Sequence, residues 1–150
     1  MESEIKAQLE KAGITATPVR LLIYREIIRM DSAFSLADLE TELETVDKST
    51  IFRSLNLFLE KGMLHEIDDG SGSRKYCRCT CAMDNAEAEG SSSHHQHDSH
   101  IHFSCTECHR TFCIKDIHIP HLPTPKGFEV HETSCVMKGL CPDCARKHRV

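Results

Sequence analysis

Apolar residues recur at helical spacing through roughly the first sixty positions of the chain and then alternate with polar ones. Thr17 followed by Pro18 predicts an N-cap with proline at the first helical position, and Val19, Leu22, Ile23, Ile27 and Met30 fall on one face of the helix that follows. Ser35 with Asp38 has the form of a capping box ahead of a shorter helix carrying Leu36, Leu39 and Leu43. A third helix opens at Asp47 and ends before Gly62, burying Ile51, Leu55, Phe58 and Leu59 and leaving Thr50, Arg53 and Asn56 on the opposite face. Residues 63–67, the turn-prone Asp69, Gly70, Ser71 and Gly72, and residues 74–77 then predict a two-stranded hairpin. Amphipathic helices alone describe any small bundle. The order of these elements, with a face of short polar and basic groups on the third helix, predicts a winged helix-turn-helix.

Composition divides the chain near Tyr76. All nine cysteines stand at or after Cys77, and only one histidine, His65, precedes it. The 150 residues carry a net charge of −5, with ten basic against fourteen acidic residues up to position 76. Any contact with nucleic acid is therefore expected from a local basic patch, not from a broadly basic surface. No apolar run is long enough for a membrane span. The polar, acidic residues 1–11 do not read as a secretory signal, so a cytoplasmic address is expected, where thiols stay reduced and Cys-x-x-Cys pairs read first as metal or redox chemistry. The expected organisation is a winged-helix domain over residues 1–76, a hinge and polar Ser/His-rich insert over 77–99, and a metal-binding domain over 100–150, the part to which the family resemblance given below assigns dimerisation. The insert holds His94, His95 and His97, a loose metal-collecting loop.

Cys105 with Cys108 and Cys141 with Cys144 form two such pairs, 32 residues apart. Two residues between cysteines let a tight turn aim both sulfurs at one ion, so two turns complete a tetrahedral shell for structural zinc. Free buried thiols or a redox pair are the alternatives, and a thioredoxin-like site would need a βαβ setting not evident in this half. His100 and His102 alternate on a strand just upstream and supply half of a second metal site. Its remaining ligands are sought at His65 and among Cys77, Cys79 and Cys81, which also alternate. Cys113 is a further candidate.

The chain resembles the ferric uptake regulator family of bacterial metal-sensing repressors over nearly its whole length. The likeness is carried by Thr17, Pro18, Val19 and Arg20, by residues 49–55 (Ser-Thr-Ile-Phe-Arg-Ser-Leu), by residues 60–65 (Glu-Lys-Gly-Met-Leu-His), by His100 and His102, by Gly127 and Phe128, and by Gly139 and Leu140 before the last Cys-x-x-Cys. It implies an α+β fold, an N-terminal winged helix followed by a small zinc-stapled β-rich dimerisation domain. It also implies a homodimer on palindromic double-stranded DNA, with Arg20, Ser49, Thr50, Phe52, Arg53 and Asn56 as the DNA-binding residues. The two Cys-x-x-Cys pairs would hold structural zinc. His65, Cys79, His100 and His102 would match a regulatory metal site closest to that of the zinc uptake regulator branch, with Cys77, Cys81 and Cys113 as additional ligands.

Four departures from the family pattern stand out. Phe52 replaces the usual tyrosine, Cys113 stands where most relatives carry an acid, and Thr133 takes the place of a histidine ahead of the last Cys-x-x-Cys. Prolines at 120, 123 and 125 forbid the usual dimerisation helix, so dimerisation is expected to lean on strands, including residues 128–137. Imidazole and thiolate ligands without carboxylate favour zinc as the regulatory ion over iron or manganese. The function expected is repression of metal-uptake genes, with one ion fixing the angle between the two halves. An iron- or peroxide-responsive repressor of the same family and a zinc-storage protein are the alternatives. A zinc hydrolase would need an open metal position beside a Glu base; no His-x-Glu motif precedes the second cysteine pair, and Glu107 belongs to the first knuckle.

Overall fold

The computed structural model describes residues 1–78, 100–131 and 133–149. The chain divides into two compact units, Met1–Ala86 and Glu87–Val150. Among the described residues, the first holds four helices and a small sheet and the second a small sheet and one helix, so the fold is α+β as expected. Cys79, Cys81, His94, His95 and His97 lie outside the described residues.

The first unit holds α1 (Glu2–Lys11), α2 (Pro18–Arg29), α3 (Leu36–Glu42) and α4 (Lys48–Glu60), and the last three begin at side-chain caps that the sequence supplies. The backbone N–H of Arg20 donates to the Thr17 hydroxyl oxygen, and Ser35 and Asp38 close their box reciprocally at 3.2 and 2.7 Å. Asp47 caps α4 by accepting the Thr50 N–H at 2.9 Å. At its far end Gly62 takes a φ of +73°, and the N–H groups of Gly62 and Met63 turn back onto Leu59 and Phe58. The core joins Ile5 and Leu9 of α1, Ile23, Tyr24 and Ile27 of α2, Leu39 of α3, and Ile51, Leu55 and Phe58 of α4. Tyr24 and Phe58 meet edge to face at 5.4 Å between ring centres.

Strands β1 (Phe34–Ser35), β2 (Leu64–Ile67) and β3 (Lys75–Arg78) form an antiparallel sheet in the order β1-β3-β2. This is the wing. Leu64 and Tyr76 face the core, and Phe34 lies 5.9 Å from the Tyr76 ring. At its loop Lys75 pairs with the buried Asp69 at 2.6 Å.

The second unit is built on β4 (His100–Cys105), β5 (Thr111–His118) and β6 (Val136–Gly139) in the order β5-β4-β6, and α5 (Pro142–His148) follows. Strand β4 runs antiparallel to β5 and parallel to β6.

Four sequence expectations are corrected. Residues 1–11, read only as polar, form α1, because Ile5 and Leu9 one turn apart reach the core and Gly13, at φ +76°, closes the end. Val19, assigned to the buried face of α2, is 39% exposed because it lines an open groove beside α4. The strand expected over residues 128–137 is confined to Val136–Gly139; Phe128 and Val130 alternate as a strand would, yet both are exposed and make no ladder. The last Cys-x-x-Cys, read as a turn, begins α5, since Pro142 suits the first helical position.

Candidate metal centre and nucleic-acid interface

Cys105 ends β4, and the turn after it brings Cys108 back to the same point. His109 takes a φ of +60° to make that turn, and its N–H donates to the Cys105 carbonyl at 3.1 Å. The parallel pairing of Cys105 with Gly139 delivers β6 alongside, so that Cys141 caps α5 and Cys144 sits in its first turn. The Thr106 N–H donates to the Gly139 carbonyl at 2.8 Å and pins the two turns together.

The four sulfurs of Cys105, Cys108, Cys141 and Cys144 lie within 4.8 Å of one another, and the sulfurs of Cys108 and Cys141 are 3.8 Å apart. Sulfurs about 2.3 Å from a central zinc have tetrahedral edges of about 3.8 Å. The thiols fit a zinc ion. The Cys141 N–H donates to the Cys105 sulfur at 3.4 Å, and this bond, followed by one from the Cys108 N–H, brings the Cys105 thiol down to about 6. The Cys144 N–H lowers the Cys141 thiol in the same way. Burial pushes the Cys144 thiol up to about 12, with the neighbouring sulfurs adding to the shift. One thiolate is thus preformed at neutral pH, while another needs a cation to lose its proton.

Arg110, which sequence reading overlooked, completes this centre. Its guanidinium donates to Asp143 at 3.1 Å and lies 5.1 Å from the centre of the Phe112 ring, and the nearby thiols of Cys108 and Cys141 are the largest influences raising its pKa. A four-thiolate zinc site carries two negative charges, and Arg110 offsets one of them. A basic residue two places after a Cys-x-x-Cys was the available signal.

The other metal candidates fall in two places. In the first unit His65 and Cys77 are directly opposite on β2 and β3, each 9% exposed. In the second unit His102 of β4 is opposite Cys113 of β5, and His100 begins β4 opposite His118.

Helix α4 presents Ser49, Phe52, Arg53 and Asn56 to solvent while Ile51, Ser54, Leu55 and Phe58 are buried. Its first two turns meet the first turn of α2 at an open groove of about 330 Å³, lined by Thr17, Val19, Arg20, Thr50, Arg53 and Ser54. Arg20 in the first turn of α2 and Arg53 in the second turn of α4 suit phosphate oxygens. Arg20 is steadied by the Thr15 carbonyl at 3.0 Å, and the Thr50 hydroxyl donates to Asp47 at 2.7 Å. The structure thus brings Arg20, Thr50 and Arg53 to one groove and leaves Ser49, Phe52 and Asn56 on the adjoining exposed stripe.

No family model matches the chain. The peroxide operon regulator of Bacillus subtilis is 24% identical over 159 residues, covering 96% of this chain and 95% of that protein. The ferric uptake regulation protein of Synechococcus elongatus is 25% identical over 154 residues, again 96% of this chain and 95% of the relative. Among solved structures, a zinc uptake regulator complexed with zinc and DNA matches at a TM-score of 0.64 and 20% identity, over 100% of this chain and 99% of that one. The Vibrio cholerae ferric uptake regulator matches at 0.55 and 18% identity, over 91% and 98%.

Proposed function

We propose that this protein, which has the fold of the ferric uptake regulator family and resembles its regulators along 96% of the chain, is a metal-dependent transcriptional repressor that binds operator DNA, is not an enzyme, and responds to zinc. The observation that carries the reading is the four-cysteine knot, with sulfurs at tetrahedral spacing, in the same chain as a helix whose outer stripe is left unpacked. A storage protein would have use for the knot and none for the groove between α2 and α4. No helix among the described residues is long and apolar enough to cross a membrane, and we place the protein in the cytoplasm with its operator.

In this reading α4 enters the major groove. Ser49, Thr50, Phe52, Arg53 and Asn56 meet bases and phosphates, and Arg20 holds the backbone from α2. A homodimer sets two such helices about 34 Å apart, one helical turn, which calls for a palindromic operator. Ile117, Leu122, Phe128, Val130 and Met137 of the second unit are between 42 and 70% exposed, an apolar set that a second copy would cover.

Cys105, Cys108, Cys141 and Cys144 hold structural zinc, which supplies folding energy to the small second unit. His65, His100 and His102 hold the regulatory ion together with a thiol from Cys77, Cys79 or Cys81, which the family resemblance places at Cys79. Imidazole and thiolate ligands favour zinc over iron. When bound, this ion supplies only coordination energy. Moving a two-state equilibrium from 1:99 to 99:1 takes about 5.5 kcal/mol of differential affinity, within reach of several such ligands.

The test is a mobility shift on the selected operator across a zinc titration. Zinc-dependent binding is expected, and replacing His100 and His102 by Ala should abolish that dependence while one zinc per chain stays in the cysteine knot. Zinc-dependent binding retained by the double variant would overturn the regulatory assignment. A response to iron or peroxide in place of zinc would select the other branches of the family.

A further inference from the structure

The groove between α2 and α4 is lined by two arginines, Arg20 and Arg53. Like charges repel each other toward solvent, and a long arginine side chain has many rotamers to lose when it meets a base. Each of the two is held by an oxygen close by in the sequence. Arg20 donates to the Thr15 carbonyl at 3.0 Å, and Arg53 donates to the Thr50 hydroxyl oxygen at 3.5 Å. A carbonyl can only accept, so the hold on Arg20 has one sense. A hydroxyl can donate or accept, and a further contact has to fix which.

Within a helix a threonine hydroxyl can donate to the carbonyl four residues back, as Thr41 of α3 does to Ala37 at 3.0 Å. Thr50 does otherwise. Its hydroxyl donates to one oxygen of the Asp47 carboxylate at 2.7 Å, while its N–H donates to the other at 2.9 Å. The hydroxyl proton is thereby committed, and Arg53, one turn further along the same side of α4, meets the lone pairs that are left. These two bonds do most to hold the Asp47 carboxyl below its ordinary value, and the Arg53 charge adds to them. Capping of α4 requires only the bond from the N–H. The bond from the hydroxyl is surplus to it.

Given the repressor reading above, on which this rests, we propose that Asp47 and Thr50 are positioning residues for base recognition. The Asp47 carboxylate turns the Thr50 oxygen to Arg53, and that oxygen holds the guanidinium ready for the N7 and O6 acceptors of one guanine in the major groove. At 3.5 Å the contact is long for a hydrogen bond, so the guanidinium gives up little when it moves onto the base. With its proton on Asp47, the Thr50 hydroxyl has none for a phosphate oxygen. Asp47 and Thr50 therefore serve the choice of base more than the strength of binding to duplex in general.

The test measures the zinc-loaded full chain on an operator selected from randomised duplexes and on copies changed one base pair at a time. Arg53→Ala should erase the preference at one position of each half-site. Thr50→Val, which keeps the side chain's shape and the capping N–H, should cut that same preference about tenfold and leave the others unchanged. Thr50→Ser should restore it. Asp47→Asn still caps through its carbonyl oxygen but puts an N–H where the second oxygen was, which turns the hydroxyl proton toward Arg53, so it should match Thr50→Val. In an Arg53→Ala background, Thr50→Val should have no further effect. Tyrosine dichroism reports whether each variant folds, and Thr50→Ala against Thr50→Ser makes the same comparison should valine not be tolerated. Equal loss at every position, or a Thr50→Val loss that adds in full to that of Arg53→Ala, would overturn the proposal and make Thr50 a direct contact. A preference carried by Arg53 and untouched by Thr50→Val overturns this proposal alone, whereas a parent protein with no base preference overturns the repressor reading as well.

Discussion

Asp47 holds the entrance to α4 with two hydrogen bonds, one from the Thr50 N–H and one from its hydroxyl. The same two bonds hold its carboxyl below the ordinary value of 3.8, the hydroxyl having the larger effect. A carboxyl lowered on folding contributes stability that is fully present above its unfolded pKa and is lost as the pH falls through its folded pKa. Asp47→Ala should therefore melt below the parent protein at neutral pH, and the gap should narrow as the pH drops below about 4. Asp47→Asn, which caps without titrating, should show a smaller gap that depends less on pH. The readout is near-UV tyrosine dichroism, because both tyrosines, Tyr24 and Tyr76, are buried in the first unit. A gap that stayed constant from pH 7 to pH 3 would show that the carboxylate is not what holds the helix start.

At the scale of the element, α4 anchors one face and exposes the other, so substitutions on its two sides should separate. Leu55 is fully buried, and Leu55→Ala should destabilise the first unit by about 2 to 5 kcal/mol through lost burial and a residual cavity. Val19, predicted as core but 39% exposed, should tolerate Ala within about 0.5 kcal/mol. Urea unfolding followed through the tyrosines checks both, and equal losses would mean that the first turn of α2 packs more tightly than its exposure shows. The same division explains what was legible beforehand. Helices α2, α3 and α4 could be read because Thr17, Ser35, Asp47 and Gly62 mark their ends in side-chain chemistry. Helix α1 was overlooked because only Ile5 and Leu9 mark its buried side, although Gly13 already signalled its end. The cysteine knot was legible from spacing alone. The opposition of His65 to Cys77 and of His102 to Cys113 was not, since register is fixed by loop geometry and a slip of one residue sends every side chain to the other face. Cys77, Cys79 and Cys81 all alternate in phase, so the pattern by itself offered no means of choosing among them.

The two units of the whole molecule are stabilised by different physics. The first buries aromatic and aliphatic side chains from four helices and the wing, including Tyr24, Phe58 and Tyr76. In the second, among the described residues, Phe103 and Phe112 pack on the cluster of Cys105, Cys141 and Cys144. A unit this small has little apolar surface to bury against its chain entropy, and such units commonly draw on a metal. Structural zinc, at an apparent 10 to 16 kcal/mol in small cysteine-rich units, is ample to make up the difference. Stripping zinc with a chelator should therefore melt the second unit while leaving the first folded. The expected record is loss of strand signal in the far-ultraviolet, with the tyrosine dichroism unchanged and its melting midpoint kept within a few degrees. Readdition of zinc should restore the strand signal under reducing conditions, since thiolates and not disulfides bind the ion. Collapse of the tyrosine signal together with the zinc would mean that the first unit draws its stability from the second. Unaltered strand content after complete zinc removal would mean that the knot binds metal without needing it to fold.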